Sequence, residues 1–284
     1  MRTKKFIGFV AATATIALLA GCSTSAAGGS PSTKEAASTI TKGTLTVGLS
    51  PDFPPMEYLD GDKLVGAEPE VIAEVANRMG LKISFVQQKY DQLMNSVRTG
   101  RVDVLVSGVS DNVDRQKTLD MVDYYDSTAR FFTTPNQAGN FKQETDVCGT
   151  TVAVASNDDY YPAVLEHSKK VCESAGKPAI KVQGTDSGAT ARLQLEQGRA
   201  ALAVQGAENI AFFNQKTPGK YEIVLGVLLK QPFSVALKKG NTPLAEEVQK
   251  AIQSMYDDGT LEKILTKYGI KDGLRQPVIN EVTG

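Results

Sequence analysis

The chain has 284 residues, 41% of them hydrophobic, and a formal net charge of −1. That is enough apolar material for one large or two medium domains with real cores. The near-neutral balance, with no basic stripe interleaved with aromatics, argues against nucleic acid as a partner, and a single histidine with no His/Cys cluster of ligand spacing argues against a metal site.

Chain order begins with an export signal. Arg2, Lys4 and Lys5 precede an apolar run over residues 6–20, which is shorter than the ~20 residues a spanning helix needs. The run ends in "LAGC" (19–22). This resembles the lipobox of bacterial lipoproteins and implies that Cys22 becomes the lipidated first residue. An ordinary signal with a cysteine at that place is the other reading. Residues 23–39 are rich in Ser, Gly and Ala with no packing pattern, as in a tether. Residues 1–21 are therefore read as signal and 22–42 as tether. Loss of Arg2, Lys4 and Lys5 takes the formal charge from −1 to −4. The expected location is exported, lipid-anchored at the outer face of the cell membrane or in the periplasm, because several acyl chains hold a protein on a membrane where one is marginal.

Strands and helices then alternate. "LTVGLS" (45–50) reads as a strand. "EPEVIAEVANRMG" (68–80) reads as a helix, with Pro69 in the first turn, Val71, Ile72, Val75 and Met79 on one face and Gly80 as its stop. "ISFV" (83–86) is a strand, "DQLMNSVRTG" (91–100) a helix capped by Asp91, and residues 102–106 a strand. The order βαβαβ predicts a parallel sheet with helices on its faces. The pattern recurs in "TVAVAS" (151–156), a helix over most of 158–172, "IKVQ" (180–183), a helix within 187–198 and "AALAV" (200–204). "TGRVDVLVSG" (99–108) aligns with "QGRAALAVQG" (197–206) without a gap. The chain is thus read as two similar α/β lobes. Another strand follows in 228–240, and helices over 243–257 and 261–268 are expected to return to the first lobe. The boundaries are 43–129 with 234–284 for lobe 1 and 130–233 for lobe 2, with a hinge at the crossovers 129–134 and 231–238. Cys148 and Cys172 flank a strand and helix of lobe 2. A disulfide between them suits an oxidising compartment, and two buried free thiols are the alternative.

The third strand of lobe 1 opens on "VSGVSDNVDR" (106–115). In open α/β sheets, ligands bind beyond the carboxyl ends of the strands, so Ser107, Gly108, Val109 and Ser110 lie where hydroxyl and backbone groups face a cleft. Asn112 reads as the N-cap of a following helix, with Arg115 in its first turn. A cation at the positive end of a helix dipole is unfavourable unless an anion balances it. A guanidinium can hold a carboxylate through two parallel hydrogen bonds. A surface arginine paired with Asp111 or Asp114 is the alternative.

From about residue 43 to residue 270 the sequence resembles the family 3 extracytoplasmic solute-binding proteins of ABC importers for amino acids. "GTLTVGLSPDFPPMEY" (43–58), "LVGAEPEVIAEVANRMGLKISFV" (64–86), "LMNSVRTGRVDVLVSGVSDNVDRQKTLD" (93–120) and "YDDGTLEKILTKYGI" (256–270) carry the likeness. The resemblance implies a periplasmic-binding-protein fold of type II: two βαβ-type lobes joined by a two-strand hinge. It implies a monomer without cofactor that captures a small carboxylate-bearing solute, an amino acid or derivative, and hands it to a permease. Arg115 falls at the position that clasps the ligand α-carboxylate, with the serine region assisting. Phe53 and Tyr90 fall at positions of cleft aromatics. Asp52 and Glu57, nearby, are either solvated or reach the cleft.

Three positions depart from the family pattern. Ser50 and Gly206 stand where acidic residues hold the ligand ammonium, and "NDD", Asn157, Asp158 and Asp159, replaces a Gly-Thr-Thr-like loop. Asp158 or Asp159 is expected to supply the missing charge, Glu208 beyond Gln205 and Gly206 is a second source, and helix capping is the alternative use of the aspartates. The ligand is otherwise a carboxylate without an amine. An exported enzyme on the same scaffold, like the cyclohexadienyl dehydratases, is the competing class. The acidic and neutral strand ends of lobe 2 suit its dicarboxylate substrate poorly. His167, beside Ser168 and two lysines, reads as a surface residue and not as a triad member.

Overall fold

A computed structural model describes residues 38–283. The readings placed on residues 1–37, namely the signal, Cys22 and most of the tether, lie outside the described residues. β1 (Thr44–Leu49) leads into a small antiparallel meander of β2 (Asp52–Phe53), β3 (Glu57–Asp60) and β4 (Lys63–Val65). Helix α1 (Ala67–Arg78) buries Val71, Ile72 and Val75. β5 (Lys82–Gln87) returns parallel to β1. α2 (Tyr90–Arg98), β6 (Val104–Leu105) and the one-turn α3 (Val113–Gln116) complete the unit.

The long strand β7 (Leu119–Thr133) leads to α4 (Pro135–Ala138) and to a second unit. That unit is β8 (Thr151–Ala155), α5 (Tyr160–His167), β9 (Lys181–Thr185), α6 (Gly188–Glu196), β10 (Leu202–Gly206) and α7 (Ala207–Lys216). The chain returns along β11 (Glu222–Lys238) to α8 (Thr242–Asp257), α9 (Thr260–Lys267) and β12 (Leu274–Ile279).

Among the described residues the main sheet runs β5-β1-β6-β11-β7-β10-β8-β9, with β12 beside β7. β7 and β11 pair antiparallel from Leu119 opposite Lys238 to Thr133 opposite Glu222. At one end β11 holds β6 through Ala236 and Leu237; at the other β7 holds β10 through residues 129–132. Leu244, Val248, Ile252 and Leu261 of the C-terminal helices share a buried cluster with Val47 and Ile72, so these helices pack on the first half of the sheet. Val152, Val164, Leu202 and Phe131 form a separate cluster around the second half.

The internal repeat has a bond-for-bond counterpart. Arg101 N–H donates to Ser96 O and Arg199 N–H to Gln194 O; Asp103 N–H donates to Thr46 O and Ala201 N–H to Thr151 O, all at 2.9 Å. Gly100 and Gly198 both take the left-handed conformation that ends a helix, with φ of 71° and 69°.

Several elements differ from their expected form. β6 covers two residues and not 102–106, because the Asp103 carboxylate takes the N–H groups of Ile40 at 2.7 Å and Thr46 at 2.8 Å in place of a strand ladder. Asp91 does not cap α2: the helix begins at Tyr90, and Asp91 lies inside its first turn. His167 is not a surface residue. Its ring packs 5.2 Å from that of Phe131, and Glu144 Oε2 lies 3.4 Å from its Nε2. The strands of the β2–β4 meander carry too few residues for a periodicity to show, and β12 is interrupted by Arg275, Gln276 and Pro277.

Cys148 and Cys172 form the disulfide. It ties the start of the second unit to the far end of the helical stretch after α5, across a sequence separation of 24. Replacing both cysteines with serine is expected to lower stability by about 3 kcal/mol, from the loop entropy returned to the unfolded chain. An unchanged denaturation midpoint in the double variant contradicts this.

Candidate functional site

A cavity of about 790 Å³ opens at the carboxyl ends of β1, β5, β6, β8, β9 and β10. From the first half of the sheet, Asp52, Phe53, Tyr90, Ser107, Gly108 and Ser110 line it; from the second, Asn157, Asp158 and Gln205 do. Sequence reasoning missed Gln88, Lys89 and Asp91 after β5, and Asp186 and Ser187 at the head of α6. Their signal was positional: each follows a strand of the parallel set, where the cleft must be. Val109 does not reach the cavity. Its side chain is fully buried in the first half, and its carbonyl accepts the N–H of Ser234 at 2.8 Å. That bond, with the Asp111 N–H donating to Pro232 O at 3.0 Å, fixes the 107–111 turn against β11.

The turn is held from beneath by two buried carboxyls. Glu57 is neither solvated nor in the cleft, for it is fully buried and accepts the Ser107 hydroxyl at 2.8 Å. Glu68, at the head of α1, accepts the Gly108 N–H at 3.1 Å and the Tyr124 hydroxyl at 2.5 Å. Burial raises both above the usual carboxyl range, and their mutual repulsion raises Glu57 further. Burial therefore favours the acid form of Glu57, whose Oε2 has no hydrogen-bond partner among the described residues. Gly108 has φ of +57°, and a Cβ there would stand 2.7 Å from Phe53 Cε1. The position thus demands glycine twice, once for its backbone and once for the ring above it. Phe53 is packed in turn edge-on to Phe233 of β11, at 6.0 Å.

Asn112 caps α3, its Oδ1 accepting the Arg115 N–H at 2.8 Å. Gln116 of the same turn bonds to the Asp111 carboxylate at 2.8 Å and to Val282 O at 2.9 Å, so the C-terminal residues brace this helix. Arg115 does not pair with Asp111 or Asp114. Asp111 is taken by Gln116, and Asp114 by Lys117 at 2.6 Å. Arg115 Nη1 instead reaches Ser110 O at 2.7 Å and, across the cleft, Asp159 Oδ2 at 2.9 Å. The Ser110 hydroxyl joins the same Asp159 oxygen.

The two aspartates of "NDD" have separate uses. Asp158 Oδ1 accepts the Tyr160 N–H at 3.3 Å, and burial raises its carboxyl to about 7. Asp159 makes no such cap. Glu208 does not line the cavity; it sits behind the wall, accepting the Ser127 hydroxyl at 2.9 Å, and burial raises it to about 7. A Cβ on Gly206 would stand 1.9 Å from Glu208 Oε1, so this carboxyl fills the volume a side chain at 206 would take. Gln205 is oriented by Arg192, whose Nη1 donates to its Oε1 at 2.7 Å while the guanidinium lies 3.9 Å above the Phe213 ring.

Two measurements check this architecture. Gly108→Ala is expected to destabilise by about 1–2 kcal/mol through the left-handed backbone alone and to push Phe53 from its place; an unaltered thermal midpoint refutes it. Glu57→Gln keeps a neutral side chain of the same shape without a titrating proton. Because the folded-state pKa is raised, the stabilisation is full below the ordinary carboxyl value of 4.5 and is lost as pH rises through the folded value. Stability of Glu57→Gln relative to the native protein should therefore increase between about pH 5 and about pH 8. Parallel denaturation curves at both pH values, with a constant difference, contradict it.

The comparisons agree with this geometry. The family model for bacterial extracellular solute-binding proteins, family 3, matches residues 45–271. The arginine-binding protein ArgT of Corynebacterium glutamicum is 30% identical over 249 residues, which span 84% of this chain and 79% of that protein. The L-cystine-binding protein TcyA of Bacillus subtilis is 32% identical over 232 residues, 80% of this chain and 81% of that one. An ancestral arginine-binding protein bound to arginine matches in structure with a TM-score of 0.69 at 28% identity, covering 80% of this chain and 99% of that chain. With the family's model spanning most of the sequence and the cleft at its strand ends, this chain belongs to the bacterial extracellular solute-binding proteins of family 3.

Proposed function

We propose that this protein captures an amino acid with a cationic side chain in the cleft and delivers it to the permease of an ABC importer. The observation that carries the reading is the charge layout of the cavity. Arg115 and Asp159 stand just outside the lining and meet it at Ser110, and the lining itself holds Asp52, Asp91, Asp158 and Asp186 against Lys89 alone. A carboxylate at Arg115 and a cation toward the acidic wall match that layout. The arginine-binding relatives point the same way. In this reading residues 43–129 with 234–284 form one lobe and 130–233 the other. β7 and β11 act as the hinge on which they close. The chain works as an exported monomer held at the membrane by lipid on Cys22. Its role is binding and not catalysis.

One observation favours the enzyme reading. Asp158 faces the cavity with its carboxyl raised to about 7, which suits a general acid. Turnover of a cyclohexadienyl carboxylate by the purified protein, abolished in Asp158→Asn, would establish that reading.

The binding reading is tested by thermal shift and calorimetry with L-arginine, L-lysine, L-cystine and L-glutamate. Stabilisation by the basic amino acids and none by L-glutamate is expected. A preference for L-glutamate overturns the cationic assignment. Arg115→Ala should weaken binding more than about tenfold, the equivalent of 1.4 kcal/mol; wild-type affinity in that variant means the carboxylate is held elsewhere.

A further inference from the structure

Asp159 stands on the seat that the proposed function gives to the ligand carboxylate. Its Oδ2 accepts from Arg115 Nη1 at 2.9 Å and from the Ser110 hydroxyl. Asp159 comes from the head of α5, and both donors come from the chain after β6, so the contact spans the cleft. Among the described residues its side chain has no other hydrogen-bond partner. No hydrogen bond joins it to the first turn of α5, where Asp158 accepts the Tyr160 N–H instead.

We propose that Asp159 is an exchangeable carboxylate that makes the site select amino acids over the same molecules without their α-ammonium. The inference rests on Arg115 being the ligand's carboxylate seat. An incoming carboxylate that takes Arg115 Nη1 and the Ser110 hydroxyl displaces Asp159 from both. Exchanging one carboxylate for another on the same guanidinium gains little. The displaced Asp159 is left without a cation, next to Asp158 in a partly desolvated cleft, and an uncompensated charge there is unfavourable. An α-ammonium, one carbon removed from the ligand carboxylate, brings a cation to the place where Asp159 was released. Asp159 then passes from the guanidinium to the ammonium, and four charges end as two pairs. A ligand lacking that amine breaks one pair and restores none. The site thereby requires both charges of the ligand head, although Ser50 and Gly206 carry no acid.

The test is calorimetry on the native protein and on Asp159→Asn with L-arginine and 5-guanidinopentanoate, which lacks only the α-ammonium. The native protein is expected to prefer L-arginine by more than about tenfold. Asp159→Asn is expected to bind 5-guanidinopentanoate more tightly than the native protein does, and to narrow the preference to under about threefold. An unchanged preference, or equal tightening of both ligands, overturns the proposal; equal tightening would make Asp159 a competitor only. Asp159→Ser, which removes the charge through a shorter side chain, must give the same narrowing. If L-arginine does not bind, L-cystine and 3,3′-dithiodipropanoate form the matched pair, and absence of binding in both pairs overturns this inference with the reading beneath it. Arg115→Ala separates the two failures. Wild-type affinity for L-arginine in that variant removes the carboxylate seat itself. Lost affinity there, with an unchanged preference in Asp159→Asn, removes only the role of Asp159.

Discussion

A guanidinium fixed at the edge of a desolvated cleft must have an anion, and the rest of the site is arranged around that requirement. Arg115 is placed by a single turn of helix, which Asn112 caps and the C-terminal residues brace through Gln116 and Val282. A helix of four residues has little stability of its own. It holds because its hydrogen bonds lead outward to Asp111, to β11 and to the chain end. The charge is then balanced from the other side of the cleft by Asp159. The pair is only partly buried, with side chains 17% and 30% exposed, so its worth lies less in stability than in connecting the two sides.

Beneath that seat, burial disfavours negative charge. Glu57 and Glu68 are fully buried and adjacent, and two carboxylates in that position cannot both ionise. Their oxygens accept from Ser107, Gly108 and Tyr124. The result is a rigid turn whose outward face is free for the cavity. Gly108 completes it by letting the Phe53 ring lie directly on the backbone. A pocket wall made this way depends on core residues far from any ligand, which is how a loop can be as precise as a strand.

The sequence disclosed the alternation of elements, the internal repeat and the capping role of Asn112, because each depends on patterns local in the chain, while the disulfide was one of two readings of the cysteine pair. It disclosed less where a long-range contact decides. Asp103 looks like a strand residue until Ile40 and Thr46 claim its carboxylate. Glu57 looks like a solvated neighbour of Asp52 until Glu68, eleven residues on, is folded against it. His167 sits in a polar run, and only the strand beneath α5 brings Phe131 to its ring. Arg115 was legible as a charge needing an anion, but the partner came from the other lobe and not from Asp111 or Asp114. Gly206 read as a lost acid. Only the fold shows that Glu208 fills the space, turned back from two residues later.

The acids around the cleft differ in burial. Asp158 and Glu208 are desolvated enough to sit near neutrality. Asp52, Asp91 and Asp186 are exposed, so water screens their fields. A cation entering the cavity strengthens the ionised form of the buried acids, since an opposite charge close by lowers a carboxyl's pKa. In the proposed function the negative wall is therefore partly created by the ligand that it receives. Such a wall avoids the repulsion that several fixed carboxylates would impose on closed lobes. It also favours a cation over a neutral group of the same shape, because only the cation induces the ionisation that binds it.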